Sequence, residues 1–315
     1  MAAYFLRRLG ALMITLFGLS IAVVLLVHLV PGTIVNTMMG VSGGGNPVAA
    51  RALSRFFGLD RPLYVQYLHW LGHAVTGNLG TSWSSGDSVA GLILSGLDVT
   101  AELSMLSILV AIAVGVPYGL ASAQAPSRVR NWLDVGAVFG LGLPAFWVGS
   151  MMILVAAQVF HWSAPIIFPT FLHSPGLNLE TMALPAVALG LPSAAVLSQF
   201  VADAVHELGR EDYVRTARAK GLAQRTVLYR HVVRNAMTRL VTVAGSQLVQ
   251  MLGGVVVIEQ VFSLPGMGRL LINSLAERDY PVVQGTAVVV GVIVMGVNLI
   301  IDLLYAAMDP RVHYQ

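Results

Sequence analysis

The 315-residue chain is too apolar for a water-soluble domain: 56% of its residues are hydrophobic, 10% are charged and its mean hydropathy is +0.77. It contains no cysteine, which excludes disulfides, a thiolate nucleophile and cysteine-based metal sites. The net charge is only +3, and the basic residues lie beside apolar segments, so they indicate membrane topology and we expect no nucleic-acid partner.

Six apolar segments reach the length of about 20 residues that crosses a membrane. We predict an all-α membrane protein with the spans Leu9–Val30, Val99–Ala123, Leu133–Phe160, Met182–Ala204, Leu240–Phe262 and Val282–Ala307. The first span is longer than the apolar core of a cleaved signal peptide, about 7–15 residues, so we expect it to be retained. Pro185 and Pro192 interrupt the fourth span, where neighbouring helices or water must satisfy the freed backbone groups.

The segment 31–97 is polar enough to leave the membrane, and we predict that it forms a compact extracytoplasmic cap. It opens with the glycine-rich stretch Gly40–Gly45, and a short helix is expected over Ala49–Gly58. Apolar residues at helical spacing indicate a second helix over Tyr64–Val75. Gly77–Gly80 then signals a turn.

One long polar segment, Val205–Arg239, separates the fourth and fifth spans. It holds three acids and eight of the 18 basic residues of the chain, namely Arg210, Arg215, Arg218, Lys220, Arg225, Arg230, Arg234 and Arg239. It is far longer than a turn between two spans needs. One interpretation is a basic surface loop that only fixes membrane orientation. The other is a docking element for a cytoplasmic partner.

Two helical patterns flank Gly221 and favour the docking interpretation. The first covers Tyr213–Lys220, and Asp212 is placed to cap its open amides. The second covers Gln224–Met237 and puts Val227, Leu228, His231 and Asn235 near one face. A glycine between two helices supplies the positive φ that ends one and redirects the chain.

The distribution of basic residues predicts that both termini are cytoplasmic. In that orientation only five of the 18 basic residues lie outside: Arg51, Arg55, Arg61, Arg269 and Arg278. The inverted orientation would place the long basic segment outside, against the positive-inside rule. The predicted divisions are 1–30 (cytoplasmic N-terminus and first span), 31–97 (cap) and 98–315 (the remaining five spans, with the docking loop 205–239).

The sequence lacks the motifs that bind nucleotides, and its histidines lack the spacing of metal ligands. A phosphate-binding loop requires Gly-Lys-Ser/Thr, but the single lysine, Lys220, stands between Ala219 and Gly221. His69 and His73 stand four residues apart without a third ligand, so we expect no metal site. We therefore expect no catalytic residue and no cofactor in this chain, and any energy for transport must come from a partner.

Polar side chains inside the spans are candidates for a transport path. A carboxylate in the centre of a membrane costs about 2.5–3.5 kcal/mol on insertion scales, so Glu259 and Asp302 must face protein or water. For Glu259, lining a path and packing helices together remain equally open interpretations, and for Asp302 packing is favoured. The candidate path-lining residues are Gln199, Gln247, Gln250, Glu259 and Asn298.

The loop resembles the signature loop of permease subunits of ATP-binding-cassette (ABC) importers. That signature has Glu-Ala-Ala, three residues, Gly, nine residues and Ile-x-Leu-Pro, of which only Ala217 and Gly221 match literally. The loop is closer to the dipeptide/oligopeptide/nickel branch, where Ala-Arg-Ala-Lys-Gly-Leu and His-x-x-Arg-Asn-Ala are usual. Here these are Ala217–Leu222 and His231–Ala236.

The resemblance to this branch, and to its first permease subunit, extends over nearly the whole chain in order. Its further motifs are Gly58–Tyr67, Gly77–Gly80, Gly253-Gly254, Glu259, Phe262, Pro265–Gly268, Arg278–Pro281, Gln284 and Asp309–Arg311. It implies the type I ABC importer permease fold in a bacterial plasma (inner) membrane. It also implies that the docking residues are Asp212, Tyr213, Arg215, Thr216, Ala217, Arg218, Ala219, Lys220, Gly221, Leu222, His231 and Arg234.

The partners implied by this family are a homologous second permease subunit, one or two kinds of ABC ATPase subunit that bind ATP and Mg, an extracytoplasmic binding lipoprotein and membrane lipid. Dipeptides and oligopeptides are the first expected substrates. The branch also imports nickel, haem and glutathione, but no cluster of histidines or carboxylates marks a nickel entrance.

An ion-coupled secondary carrier would be expected to show internal repeats and carboxylates near the midplane. A non-transporting scaffold would not require polar residues in its spans.

Overall fold

The computed structural model describes residues 2–29, 32, 34–39, 47–163, 165 and 168–308. The predicted motifs Gly40–Gly45 and Asp309–Arg311 lie outside these residues. The helices are α1 (Ala2–Leu29), α2 (Ile34–Met38), α3 (Pro47–Phe56), α4 (Leu63–Val75), α5 (Val89–Gln124), α6 (Ser127–Gly142), α7 (Ala145–Val159), α8 (Pro175–Leu208), α9 (Asp212–Ala219), α10 (Gln224–Thr226), α11 (Arg234–Val261), α12 (Met267–Glu277) and α13 (Tyr280–Met308), with a π-helical segment, Val227–Val233, between α10 and α11. Within the described residues there is no strand, only an isolated bridge between Thr81 and Ser88.

Five helices are long and apolar enough to cross a membrane: α1, α5, α8, α11 and α13. The predicted third span, Leu133–Phe160, is wrong as a single helix, because α6 and α7 meet at a bend of 98°. Leu143 is extended there (ψ 120°) and precedes Pro144, whose ring disfavours the helical conformation in the residue before it. If the bent pair is one span, the total is the six that the sequence predicts.

Several predicted boundaries also need correction. The helix α5 begins at Val89, so the end of the predicted cap segment belongs to the helix of the second span. The helix α8 begins at Pro175 and continues through both internal prolines. It packs against α6, α7 and α11, and these contacts outweigh the low helix propensity of proline. The short helix α12 was not predicted at all.

The structure contains two compact units, and the first contains Met1–Val99 and Pro265–Gly296. Both helices expected in the cap segment are present, as α3 and α4. The predicted turn at Gly77–Gly80 is confirmed, since both glycines have positive φ (83° and 90°). The main apolar core of this unit joins α5, α12 and α13 through Val89, Ile93, Met267 and Val282.

A buried carboxylate fixes one loop of this first unit. Asp279 is fully buried between α12 and α13, and its Oδ2 accepts hydrogen bonds from Ser82 Oγ at 2.5 Å, Ser84 Oγ at 3.0 Å and Ser84 N at 3.1 Å. Arg278, just before it, has a φ of 62° and ends α12 in the left-handed conformation. Hydrogen bonds to charged groups contribute about 1.5–3 kcal/mol, so Asp279 fastens the loop 81–88 to the start of α13.

The second unit contains Thr100–Leu264 and Val297–His313, of which the structure describes residues up to 308. Within it, α5 and α8 approach so closely that side chains are excluded at the contact. A Cβ on Gly115 would lie 2.5 Å from the Ala194 carbonyl oxygen, and one on Gly190 would lie 2.6 Å from the Ser107 carbonyl oxygen. A Cβ on Gly119 would clash with the Ser198 carbonyl oxygen. Small residues of this kind allow close packing of membrane helices.

We expect Gly119→Ala to destabilise the chain, because the added methyl group meets backbone that can yield only if the two helices separate. Overpacking of this kind costs about 1–3 kcal/mol. The measurement is the melting temperature of the purified chain in detergent. Gly296→Ala is the matched control, since a Cβ there meets no atom within 4 Å. Equal melting temperatures of the two variants would contradict the proposed close contact.

Candidate functional site

The basic loop, residues 205–239, connects α8 to α11 and is built around the short helix α9. The predicted cap by Asp212 is wrong: Glu211 occupies the N-cap position, and Asp212 is the first helical residue, with no side-chain hydrogen bond to the helix amides. Its carboxylate lies 3.6 Å from Arg215 Nη1, with both side chains exposed. Exposed pairs of this kind contribute about 0–1 kcal/mol, so they do not hold α9 in place.

Apolar contacts hold α9 instead. Val214 and Ala217 are its two buried residues, and their i, i+3 spacing puts them on one face of the helix. The remaining predicted docking residues from 212 to 222 are all exposed: Asp212, Tyr213, Arg215, Thr216, Arg218, Ala219, Lys220, Gly221 and Leu222. The predicted residues from 212 to 222 are thus divided, because Ala217 anchors the helix and the others are exposed.

The end of α9 is a complete Schellman motif. Gly221 has a φ of 78°, as the sequence predicts. Its N–H donates to the Arg218 carbonyl oxygen at 2.9 Å, and the N–H of Leu222 donates to the Ala217 carbonyl oxygen at 3.4 Å. The chain therefore turns sharply after Lys220 and leaves the Leu222 side chain 42% exposed.

The second predicted helix, Gln224–Met237, is not a separate element. It consists of α10, the π-helical segment Val227–Val233 and the first residues of α11, which continue directly into the fifth span. The wider π turn sets a five-residue interval, so Val227 and Val232 are both buried. The predicted face holds only in part, since Leu228 and His231 are half-buried and Asn235 is exposed.

Two polar links join the parts of the loop. Asn235 Nδ2 donates to the His231 carbonyl oxygen at 2.8 Å and to the Tyr213 hydroxyl at 3.2 Å, so Tyr213 and His231 meet through it. At the base of the loop, Arg239 Nη1 donates to both carboxylate oxygens of Glu207, at 3.0 and 3.1 Å. The end of α8, the helix α9 and the start of α11 are thus connected to one another.

A cavity of about 430 Å³ lies among α5, α8, α9 and the π-helical segment. Beside this cavity, Arg130 Nη1 donates to His206 Nε2 at 2.8 Å. Because an arginine can only donate, His206 Nε2 is the acceptor, and the proton of the ring is on Nδ1, which donates to the Ala202 carbonyl oxygen at 2.7 Å. Arg210 and Arg218 line the cavity and are exposed, and no described carboxylate pairs with either. This side of the loop therefore presents unneutralised positive charge.

The predicted path-lining residues occupy different environments in the single chain. Glu259 and Gln247 are buried (0% and 5% exposed), Gln199 is half-buried, and Gln250 and Asn298 are exposed. Among the described residues no hydrogen bond joins any two of these five side chains. Glu259 Oε1 accepts a hydrogen bond from Thr100 Oγ1 at 2.6 Å and thereby links α11 to α5. A path-lining role for the five stays a prediction.

Val214 and the pair Glu207–Arg239 were not predicted as functional residues, and Asn235 was predicted only as part of one helix face and of the motif His231–Ala236. Val214 had a signal, since it is the apolar residue three positions before Ala217 in an otherwise polar helix. The pair had no such signal, because Glu207 and Arg239 are 32 residues apart in the sequence.

Comparison with known proteins gives two family matches. Residues 115–314 match the family described as "binding-protein-dependent transport system inner membrane component", and residues 1–104 match its N-terminal counterpart. Relatives match over their whole length. A putative peptide permease protein of Brucella suis is 39% identical, covering 99% of both chains. The dipeptide transport system permease protein DppB of Escherichia coli and the oligopeptide transport system permease protein AppB of Bacillus subtilis are each 35% identical, covering 100% of both chains.

Among solved structures, the chain resembles the crystal structure of an amino acid ABC transporter with histidines. The TM-score is 0.53 at 16% identity, over 69% of this chain and 94% of that one. At this identity the likeness shows the fold alone. Together with the all-helical architecture, it confirms the expected permease fold.

Replacing Gly221 tests the end of α9. In Gly221→Ala the left-handed conformation costs roughly 1–2 kcal/mol, although no atom lies within 4 Å of the new Cβ. In Gly221→Ala we expect the amides of residues 221 and 222 to exchange hydrogen about tenfold faster than in wild type. The increase should be smaller in Gly221→Asn, because asparagine tolerates the left-handed conformation. Gly253→Ala is the control in a helix with open space. Unchanged exchange in Gly221→Ala would show that the turn does not depend on glycine.

Proposed function

This chain belongs to the family of inner membrane components of binding-protein-dependent transport systems and is a permease subunit of an ABC importer. From that premise, we propose that it imports dipeptides and oligopeptides. The printed names of its full-length relatives support peptide as the substrate class. A homologous second permease subunit would enclose the path with it. Separate ATPase subunits, of one or two kinds, would bind ATP and Mg, and an extracytoplasmic lipoprotein would deliver the peptide.

The observation that carries the proposal is that α9 has one buried, apolar face and one exposed, basic face. Its inner face is buried through Val214 and Ala217, while its outer face exposes Arg215, Arg218 and Lys220. Arg218 and Lys220 form no ion pair with a described residue, so they are available to an acidic partner surface and steer its approach, whereas Arg215 already lies 3.6 Å from Asp212. The exposed Leu222 adds an apolar contact at the turn. We propose that the ATPase subunit docks on this outer face.

The links within the loop support a mechanism of coupling. The ion pair Glu207–Arg239 and the hydrogen bonds of Asn235 connect α9 to the end of α8 and the start of α11. A displacement of α9 by closing ATPases is therefore passed to both helices, which also pack against each other. We propose that this rigid-body movement switches the path between inward-open and outward-open states.

The same charges support an orientation in the membrane. We propose that the basic loop and both termini are cytoplasmic and that the segment 31–97 is the extracytoplasmic cap on the core 98–315, where the binding protein docks. Glu259, Gln247, Gln250, Gln199 and Asn298 remain the proposed lining of the path. In the assembly, a second permease would cover side chains that are exposed on the single chain.

Docking is tested with the double variant Arg218→Ala/Leu222→Ala, which removes one charge and one apolar contact from the outer face of α9. Both side chains are exposed, so the fold is retained. We expect at least a tenfold loss of the ATPase that co-purifies with the chain, because few residues carry most of the energy of an interface. The second permease subunit should co-purify as before.

The matched control is Tyr64→Ala, which removes a side chain that is 67% exposed on α4, in the segment expected on the opposite side of the membrane. Full retention of the ATPase by the double variant would rule out α9 as the docking element. Wild type that co-purifies with no ATPase would contradict the importer itself and favour an ion-coupled secondary carrier.

The orientation is tested by single cysteines, for which the cysteine-free wild type gives no background. In intact cells we expect a membrane-impermeant maleimide to label Tyr64→Cys and not Arg218→Cys. In permeabilised cells that express the chain without its partner subunits, both variants should be labelled, since both positions are exposed on the single chain. Labelling of Arg218→Cys alone in intact cells would mean that the orientation is inverted.

A further inference from the structure

A second cavity lies wholly within the first compact unit and has no part in the docking of an ATPase. It is bounded by the end of α1, by α3 and α4, by the turn 78–83 and by the start of α13. Its volume is about 620 Å³. Small-molecule sites in proteins have volumes of about 300–1,000 Å³, so this cavity has the size of a ligand site.

One wall of the cavity is a row of aromatic rings. The ring centroids of Phe57 and Trp83 are 4.8 Å apart, those of Trp83 and Tyr280 are 5.4 Å apart, and those of Tyr280 and His28 are 5.0 Å apart. All four rings line the cavity. They form an apolar surface that suits an aromatic or aliphatic side chain of a ligand.

Two buried polar atoms in the lining residues have no hydrogen-bond partner among the described residues. His28 Nδ1 lies 2.8 Å from the Val24 carbonyl oxygen and must donate to it, which leaves Nε2 as a buried acceptor without a donor. Trp70 Nε1 is the opposite case, a buried donor without an acceptor. Leaving such groups unsatisfied is costly, so each calls for a ligand or water. A group that offers both an N–H and a C=O would satisfy both atoms.

The rim of the cavity is cationic. Arg55 and Arg61 line it and are exposed, and neither forms an ion pair with a described residue. No aspartate or glutamate is present among the described residues of the lining. The charge of the rim therefore favours a ligand with a carboxylate.

We propose that this cavity binds a short peptide. A main-chain N–H donates to His28 Nε2, a main-chain carbonyl oxygen accepts from Trp70 Nε1, the C-terminal carboxylate faces Arg55 and Arg61, and an apolar side chain packs on the aromatic row. The inference rests on the proposed function and extends it, because it adds a peptide site apart from the five proposed path-lining residues.

The test is binding of the dipeptide Phe-Ala to the full chain in lipid nanodiscs, without ATPase or binding protein, by isothermal titration calorimetry. We expect saturable binding to wild type. The C-terminal amide of the same dipeptide, which lacks the carboxylate, should bind about tenfold more weakly. Arg61→Gln should weaken binding of Phe-Ala and leave binding of the amide unchanged.

The two buried atoms are tested by Trp70→Phe, which keeps an aromatic ring and removes the N–H, and by His28→Phe, which removes the acceptor. Each should weaken binding of Phe-Ala about tenfold, which corresponds to about 1.4 kcal/mol. Trp132→Phe is the matched control, since Trp132 is 78% exposed and does not line the cavity. Melting temperatures equal to that of wild type establish that the variants are folded.

Absence of saturable binding to wild type would show that the cavity holds only water and would overturn the proposal. Binding that is unaffected by Trp70→Phe and His28→Phe would place the peptide elsewhere and also overturn it. Uptake of Phe-Ala by cells that carry the complete transporter separates this inference from the proposed function. Uptake without binding to the isolated chain rejects the cavity site alone, whereas a complete transporter that imports no peptide rejects the function.

Discussion

Backbone N–H and C=O groups find no water inside a membrane, so each must be satisfied within the protein. Long helices meet this demand, and they leave charged side chains to the segments between them. The bend between α6 and α7 is therefore an expensive feature, and it occurs where Leu143-Pro144 cannot continue a helix. The same constraint concentrates eight of the 18 basic residues in the loop between α8 and α11.

Two buried carboxylates connect separate parts of the chain. Glu259 accepts from Thr100, and Asp279 accepts from two serines and one backbone amide. Each of these contacts connects elements far apart in sequence, so the buried carboxylates position helices and loops. In the cavity of the first unit, His28 Nε2 and Trp70 Nε1 are buried without a partner among the described residues, and we propose that a peptide satisfies both.

The loop that we propose to dock the ATPase combines a firm attachment with an outer face that is free to bind. Its attachment depends on Val214, Ala217 and the Schellman motif at Gly221, which are short-range features. Asn235 joins α9 to the start of α11, and the packing of α8 against α11, with the exposed pair Glu207–Arg239 beside it, joins the two flanking spans. Because the outer charges do not hold the helix in place, they are available to a partner, and the movement of that partner can be passed to α8 and α11.

The sequence by itself determined the approximate places of the apolar segments, the long basic loop, the positive φ of Gly221 and the family, because hydropathy, charge and motif spacing are properties of neighbouring residues. It predicted the helices α3 and α4 for the same reason. Only the tertiary structure decided the 98° bend, the π-helical register that buries Val227 and Val232, the continuity of α8 through two prolines and the meeting of α5 and α8 at Gly115 and Gly119. These features depend on which helix surfaces pack against each other, and local propensity contains no information about contacts between distant segments. The aromatic cavity belongs to the same class, since its walls come from α1, α4 and α13, segments more than 200 residues apart at their extremes.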